Sequence, residues 1–297
     1  MDLQNYYAKK ASLINKRLDE LVAEKGLPHD VLFQAARYSL LAPGKRLRPI
    51  LALAVVEMLR GESEMAVTPA CALEMIHAYS LIHDDLPCMD NDDFRRGCPT
   101  LHKAYSEGLA VLAGDFLLTY AFEVLTTCPE ITAEQQVQLV KTLARGSGGD
   151  GMIGGQVLDI ASANQKIDLE RLQLIHAKKT GALITTAVEF GGILARASTE
   201  ETPLLRKYGE NLGLAFQIVD DILDVTQSKA KHGHAVSSDI RNNKTTYVSL
   251  LGLKLSERAA KKLIKEALYS LSKLPGDKAA LVAIAKAVVA PLQLAVS

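Results

Sequence analysis

Apolar residues recur at helical spacing almost from end to end of this chain, and no run alternates as a half-buried strand would. Leu13, Leu18, Leu21 and Val22 form one apolar stripe, with Lys and Glu on the opposite face. The same period runs through Val31–Leu41, Arg48–Leu59, Pro69–His83, Ala110–Leu125, Glu134–Arg145, Leu169–Leu194, Leu204–Asp224 and Glu257–Leu271. Turn chemistry separates these stretches at Ala42-Pro43-Gly44, Arg60-Gly61, Cys128-Pro129, Gly146–Gly149 and Pro275-Gly276. The expectation is an all-α bundle of roughly ten or more helices around a central cavity, several of them apolar nearly all round. Without a Pro/Gly/Ser linker, a charge block or a repeat, residues 1–297 are expected to form one domain.

Charge excludes some classes of partner. The 34 basic and 34 acidic side chains cancel, so neither a nucleic-acid footprint nor a polybasic membrane patch is expected. Cys71, Cys88, Cys98 and Cys128 show neither CxxC nor metal-ligand spacing, which suits free thiols in a reducing compartment. Met1–Lys10 carries no apolar signal-like core. The apolar stretches Pro49–Leu59 and Ala279–Ala285 end at Arg60 and Lys286, short of a bilayer span. These features predict a cytoplasmic protein with no stable membrane insertion.

Against this apolar background, two helical segments carry carboxylates where burial is costly unless the charge is paired or bound to metal. In the first, Asp84 and Asp85 close an apolar helix at the end where the macrodipole disfavours anions. Pro87 stops that helix and lets the chain bring Asp90 back toward the pair. Hard oxygen donors at a chain reversal suit Mg²⁺, and Arg95 and Arg96 follow with forked donors for phosphate oxygens. A solvated acidic loop with local Asp–Arg pairs is the plainer alternative.

The second segment is Gln217-Ile218-Val219-Asp220-Asp221-Ile222-Leu223-Asp224. At about 100° per residue, Gln217, Asp220 and Asp224 share one stripe, with Asp221 beside them. Three acids so close repel unless cations intervene, and a polar stripe on so apolar a helix should face a cavity.

Asp84-Asp85-x4-Asp90 resembles the first aspartate-rich motif of the polyprenyl synthetase (trans-prenyltransferase) family in its bacterial form, and Asp220-Asp221-Ile222-Leu223-Asp224 resembles the second, DDxxD. The resemblance covers nearly the whole chain and is closest to bacterial farnesyl diphosphate synthase. It implies condensation of dimethylallyl or geranyl diphosphate with isopentenyl diphosphate to farnesyl diphosphate. Geranylgeranyl or geranyl diphosphate is the alternative product. It also implies Asp84, Asp85, Asp90, Asp159, Asp220, Asp221 and Asp224 as ligands of three Mg²⁺ ions with diphosphate bound, Mn²⁺ being able to substitute. A homodimer is implied as well.

Supporting segments carry the diphosphate ligands. Gly44-Lys45-Arg46-Leu47-Arg48-Pro49 resembles the family's GKxLRP motif, a turn at a helix N-terminus where dipole and cations favour an anion together. The resemblance assigns Lys45, Arg48, His77 and Arg96 to isopentenyl diphosphate and Arg95 to the allylic diphosphate. Gly154-Gly155-Gln156-x2-Asp159 resembles GQxxD, with Gln156 and Asp159 on one face. Lys178-Lys179-Thr180-Gly181 resembles the KT motif, which gives Lys179 to the allylic diphosphate. Thr180 and Gln217 would set oxygen dipoles near the developing allylic cation. Lys244 matches a later diphosphate-binding lysine.

The implied chemistry ionises the allylic C–O bond, attacks the cation with the isopentenyl double bond and then loses a proton, so it needs no nucleophilic side chain. Product length is assigned to Tyr79 and Ser80. Tyr79 lies about 7.5 Å below Asp84 along the helix axis, a steric floor of the kind that farnesyl-forming members use. A terpene cyclase would not need Lys45, Arg48, His77 and Arg96, and a non-catalytic subunit tends to lose one aspartate motif. Two departures stand out. Gly233-His234 stands where the family carries Gly-Lys, so His234 is expected to act as a conditional cation at the allylic diphosphate, the alternative being a shifted loop in which Lys229 or Lys231 supplies the charge. The sequence also ends Pro291–Ser297 without the basic tail of many relatives.

Overall fold

The computed structural model describes residues 1–230 and 245–294, with the side chains of 1–226 and 245–292. Its residues group into two compact units.

The first unit comprises Asp2–Leu53 and Glu62–Val140. It holds α1 (Leu3–Leu21), α2 (Asp30–Leu40), the start of α3 (Leu47–Arg60), α4 (Val67–Asp84), α5 (Leu101–Ala104), α6 (Glu107–Thr126) and the start of α7 (Ala133–Ser147). Asp2 caps α1 by accepting from the Asn5 amide at 3.1 Å. Helix α4 is apolar all round and packs on α1, α2 and α6, with Leu73, Met75 and Ile76 wholly buried. Extended by the 3-10 turn Glu64–Ala66, it is long and apolar enough to cross a bilayer by composition alone, as is α6. In α4, 78% of the apolar window is buried within the protein, as a core helix requires; in α6 the figure is 39%.

Residues 94–99 add a feature absent from the expected fold. Phe94–Arg95 (β1) pairs antiparallel with Cys98–Pro99 (β2), and Arg96 and Gly97 at the tip have φ of 54° and 82°. Two positive φ values suit the type I′ turn that right-handed strand twist favours.

The second unit comprises Ala54–Gly61 and the described residues from Lys141 onward. It holds α8 (Met152–Ser162), α9 (Leu169–His176), a π-helical turn (Ala177–Gly181), α10 (Ala182–Leu194), α11 (Glu201–Ala230), α12 (Tyr247–Leu251), α13 (Leu253–Ser272), α14 (Ala279–Val289) and α15 (Pro291–Leu294). Long α11 packs on α10 and α13, burying Leu212, Ala215, Ile218 and Ile222. The single helix expected over Leu169–Leu194 is interrupted by the π turn, which is closely packed by its neighbours. A Cβ at Gly155 would collide with the Lys179 backbone, and one at Gly213 would lie 2.7 Å from the Gly181 Cα. Glycine at both positions lets α8 and α11 press against the widened turn.

Candidate active site

In the first unit, α4 delivers its acids at its C-terminus. Asp84 is its last residue, and the Asp90 amide donates back to the Asp84 carbonyl at 2.8 Å, so the chain reverses as Pro87 suggested. Asn91 takes the left-handed conformation that the reversal needs, φ 51°. The Asp85 carboxylate is 4% exposed and receives Arg95 Nε at 2.7 and 2.9 Å. Burial raises its pKa above the ordinary value, with the Arg95 bond opposing. Burial works against the Arg95 charge too, but the bond to Asp85 outweighs it and leaves that guanidinium above its usual value.

A solvent-open pocket lies in the same unit. Its lining includes Arg46, Glu74, His77, Asp85, Arg95 and Arg96. Arg96 donates from Nη1 to the Pro43 carbonyl at 2.9 Å and so lies across the Gly44 turn. Nearby, Arg48 has a buried Nε with no hydrogen-bond partner. Burial pulls its guanidinium down to about 10, against the pull of Glu74, while Arg96 adds to the depression. His77 is held well below its ordinary pKa by burial, then by Arg48, Arg96, Arg95 and Arg46. The histidine held low among four arginines and the unpartnered guanidinium donor of Arg48 together leave buried hydrogen-bond donors that an anion would satisfy. Lys45 stands exposed on the same turn.

Tyr79 is buried on α4, its hydroxyl has no hydrogen-bond partner, and its ring meets His83 edge-on at 5.8 Å. Burial and then Asp84 push its phenol up to about 12. The Ser80 hydroxyl donates to the His77 carbonyl at 2.9 Å.

The second unit gathers the other candidates around the π turn. Lys179 Nζ meets Asp159 Oδ2 at 2.7 Å, and the Thr180 hydroxyl donates to Gln217 Oε1 at 2.7 Å. On α11, Asp220 is exposed, Gln217 and Asp224 are half-buried, and Asp221 is buried. Asp221 Oδ2 accepts the Tyr247 backbone N–H at 2.8 Å. His176 Nε2 lies 3.9 Å from Asp221 Oδ1, and its ring stacks on Tyr247 with centroids 5.6 Å apart. Burial lowers the His176 pKa to about 4, Asp159 opposing and Lys179 assisting.

Sequence reasoning missed His176 and the Tyr247 amide. Their only signals were a histidine three residues before Lys179 and an aromatic following Asn243-Lys244-Thr245-Thr246. His234 and Lys244 lie outside the described residues.

Among the described residues, no three His, Cys, Asp or Glu side chains gather closely enough to form a cage for an ion. The donor chemistry nevertheless fits magnesium. Asp84, Asp85 and Asp90 offer only hard carboxylate oxygens, and Mg²⁺ takes one or two such ligands and fills its remaining positions with water and substrate phosphate.

Comparison with known proteins supplies the family. The polyprenyl synthetase family model matches residues 29–285. The chain is 48% identical to a chloroplastic geranylgeranyl pyrophosphate synthase of Capsicum annuum over 94% of this chain and 76% of that one. It is 45% identical to a chloroplastic large subunit of a heterodimeric geranylgeranyl pyrophosphate synthase of Arabidopsis thaliana, over 94% and 76%. A solved FPP/GFPP synthase from Zymomonas mobilis superposes with a TM-score of 0.87 at 37% identity, covering 97% of this chain and 99% of that one. The all-α expectation agrees with that fold. The cytoplasmic expectation does not survive, because these plant relatives are named as chloroplastic. From residue 29 to 285 this chain is a trans-prenyltransferase, and it belongs to the polyprenyl synthetase family.

Proposed function

We propose that the protein elongates allylic diphosphates with isopentenyl diphosphate to geranylgeranyl diphosphate. The observation that carries the product assignment is the 48% identity with the Capsicum annuum enzyme of that name, which favours a C20 product over the farnesyl product expected from the sequence. A second reading, in which elongation stops at C15, draws on the buried Tyr79 ring below Asp84 and on the FPP/GFPP synthase likeness. The plastid is the compartment that its relatives' names suggest. A second copy of the chain or a related subunit is the expected partner, given the heterodimeric relative.

In this reading Lys45, Arg48, His77 and Arg96 receive isopentenyl diphosphate, whose oxygens would satisfy the buried Arg48 Nε. Arg95 and Lys179 donate to the allylic diphosphate, with His234 and Lys244 as further candidates from the sequence. Asp84, Asp85, Asp90, Asp159, Asp220, Asp221 and Asp224 are, by the family resemblance, the candidate ligands of magnesium. Magnesium, when bound, polarises the diphosphate as a Lewis acid and offsets its charge. The Thr180 hydrogen is committed to Gln217, so the lone pairs of the Thr180 oxygen are free to face a developing allylic cation. The departing diphosphate takes the final proton, and no side chain is assigned as base.

Farnesyl diphosphate supplied as the only allylic primer, with isopentenyl diphosphate and Mg²⁺, tests this assignment. A C20 diphosphate is expected; failure to elongate farnesyl diphosphate in protein that elongates geranyl diphosphate would select the C15 reading.

A further inference from the structure

The motif Gly44-Lys45-Arg46-Leu47-Arg48-Pro49 carries three cations, yet one of them already spends its donors inside the protein. Arg46 is 4% exposed and all three of its nitrogens are engaged. Nε donates to Asn15 Oδ1 at 2.7 Å, Nη1 to Glu74 Oε1 at 2.8 Å and Nη2 to the Ala42 carbonyl at 2.8 Å. Its backbone sits at φ 49°, a conformation that a non-glycine residue keeps where its surroundings over-determine it.

Glu74 is equally unusual. It is 3% exposed, comes from the buried middle of α4 and lines the cation-rich cavity three residues before His77. Carboxylate charge beside an anion pocket has the wrong sign for binding, so attraction to substrate does not explain it. Geometry does. Through Arg46 the carboxylate ties α4 to α1 and to the turn that precedes α3. From the other side Arg96 Nη1 donates to the Pro43 carbonyl, and its guanidinium fills the space a Cβ on Gly44 would need, Nη1 lying 2.5 Å from that position. The turn is thus held on both flanks, and Arg48, two residues beyond Arg46, takes its direction from it.

We propose that Arg46 and Glu74 are positioning residues of the isopentenyl diphosphate pocket: their buried ion pair fixes the turn that presents Lys45 and Arg48, and neither residue touches the anion. This rests on the assignment of that pocket under Proposed function. Glu74 has a secondary effect that agrees with the geometry. Burial lowers both Arg48 and Arg96, and Glu74 opposes the fall in each, so the carboxylate also helps both guanidiniums stay charged.

The double variant Arg46→Met/Glu74→Met separates position from charge, because it removes one positive and one negative charge and leaves their sum unchanged. Replacing a buried ion pair by apolar side chains of similar size also protects folding, which a melting curve verifies. If summed charge alone governs the pocket, isopentenyl KM and the Kd of inorganic pyrophosphate stay at wild-type values. Positioning predicts a rise of roughly tenfold or more in both, with allylic KM within about twofold of wild type. Arg46→Lys keeps charge and partner but cannot span three acceptors, so it should raise isopentenyl KM in the same selective way, whether or not the double variant folds. An unchanged isopentenyl KM in either folded variant overturns the proposal, as does an equal rise in both KM values. Wild-type protein that fails to condense the two substrates would overturn the function reading instead, before any variant is compared.

Discussion

Lys179 Nζ lies 2.7 Å from Asp159 Oδ2, so a lysine assigned to the allylic diphosphate and an acid assigned to the metal are each other's partners. Both are half-buried, and the lysine is carried by the π turn that Gly155 admits. Each holds the other in place until a diphosphate or a cation competes for it. Lys179→Met should therefore lower allylic kcat/KM by about 10- to 100-fold, roughly 1.4–2.7 kcal/mol of transition-state stabilisation. Isopentenyl KM should stay near wild type, and steady-state kinetics with each substrate varied in turn checks the split.

Asp84→Ala and Asp220→Ala should each reduce turnover roughly 10²- to 10³-fold, about 3–4 kcal/mol, as the loss of a metal ligand would. Chelation of divalent cations should abolish product, and added Mg²⁺ or Mn²⁺ should restore it. Near-normal turnover in chelator or in either variant would exclude the metal role of these acids.

Gly155→Ala tests the packing behind the π turn. The added methyl would meet the Lys179 backbone, which cannot swing aside as a flexible side chain would. A loss of roughly 1–3 kcal/mol is expected, with a lower melting temperature and a higher allylic KM. Calorimetry together with kinetics would reveal both effects; a wild-type melting curve would show that α8 has room to retreat.

What could be read in the sequence follows from how local each cause is. The reversal at Asp84–Asp90 was legible because Pro87 and the helix end act within a few residues. The acidic stripe of α11 was legible because helical period alone puts Gln217, Asp220 and Asp224 on one face. The β1–β2 hairpin was not, since two-residue strands have no periodicity and Arg96 is an uncommon choice for positive φ. The π turn was hidden because the close packing around it involves distant Gly155 and Gly213. Arg46 was passed over as an unassigned position of a phosphate motif, and only its three acceptors show that it points inward. The Tyr247 amide on Asp221 could not be foreseen, because 26 residues separate them and no local period links a backbone N–H to so distant a carboxylate.

His77 should make stability acid-sensitive. Burial and four neighbouring arginines hold its folded-state pKa well below 6.5, whereas the unfolded chain titrates near 6.5. A depressed value means that the unfolded state binds more protons between the two pKa values. Stability is therefore full above about pH 6.5 and falls as pH drops below it, by at most about 1.4 kcal/mol per pH unit from this one group. Melting temperatures from pH 7.5 to 5 should decline, and His77→Gln should flatten the decline. Parallel curves for the two proteins would mean that His77 does not carry it.

The most direct measurement is product chain length. Purified protein would be supplied with dimethylallyl diphosphate, excess isopentenyl diphosphate and Mg²⁺, and the diphosphate products resolved by mass spectrometry. The expected result is a C20 diphosphate as the main end product, with C10 and C15 species appearing first and being consumed. A distribution that stops at C15 would contradict the geranylgeranyl assignment and favour Tyr79 as a floor, and the absence of any condensation product would contradict the reading of the site itself.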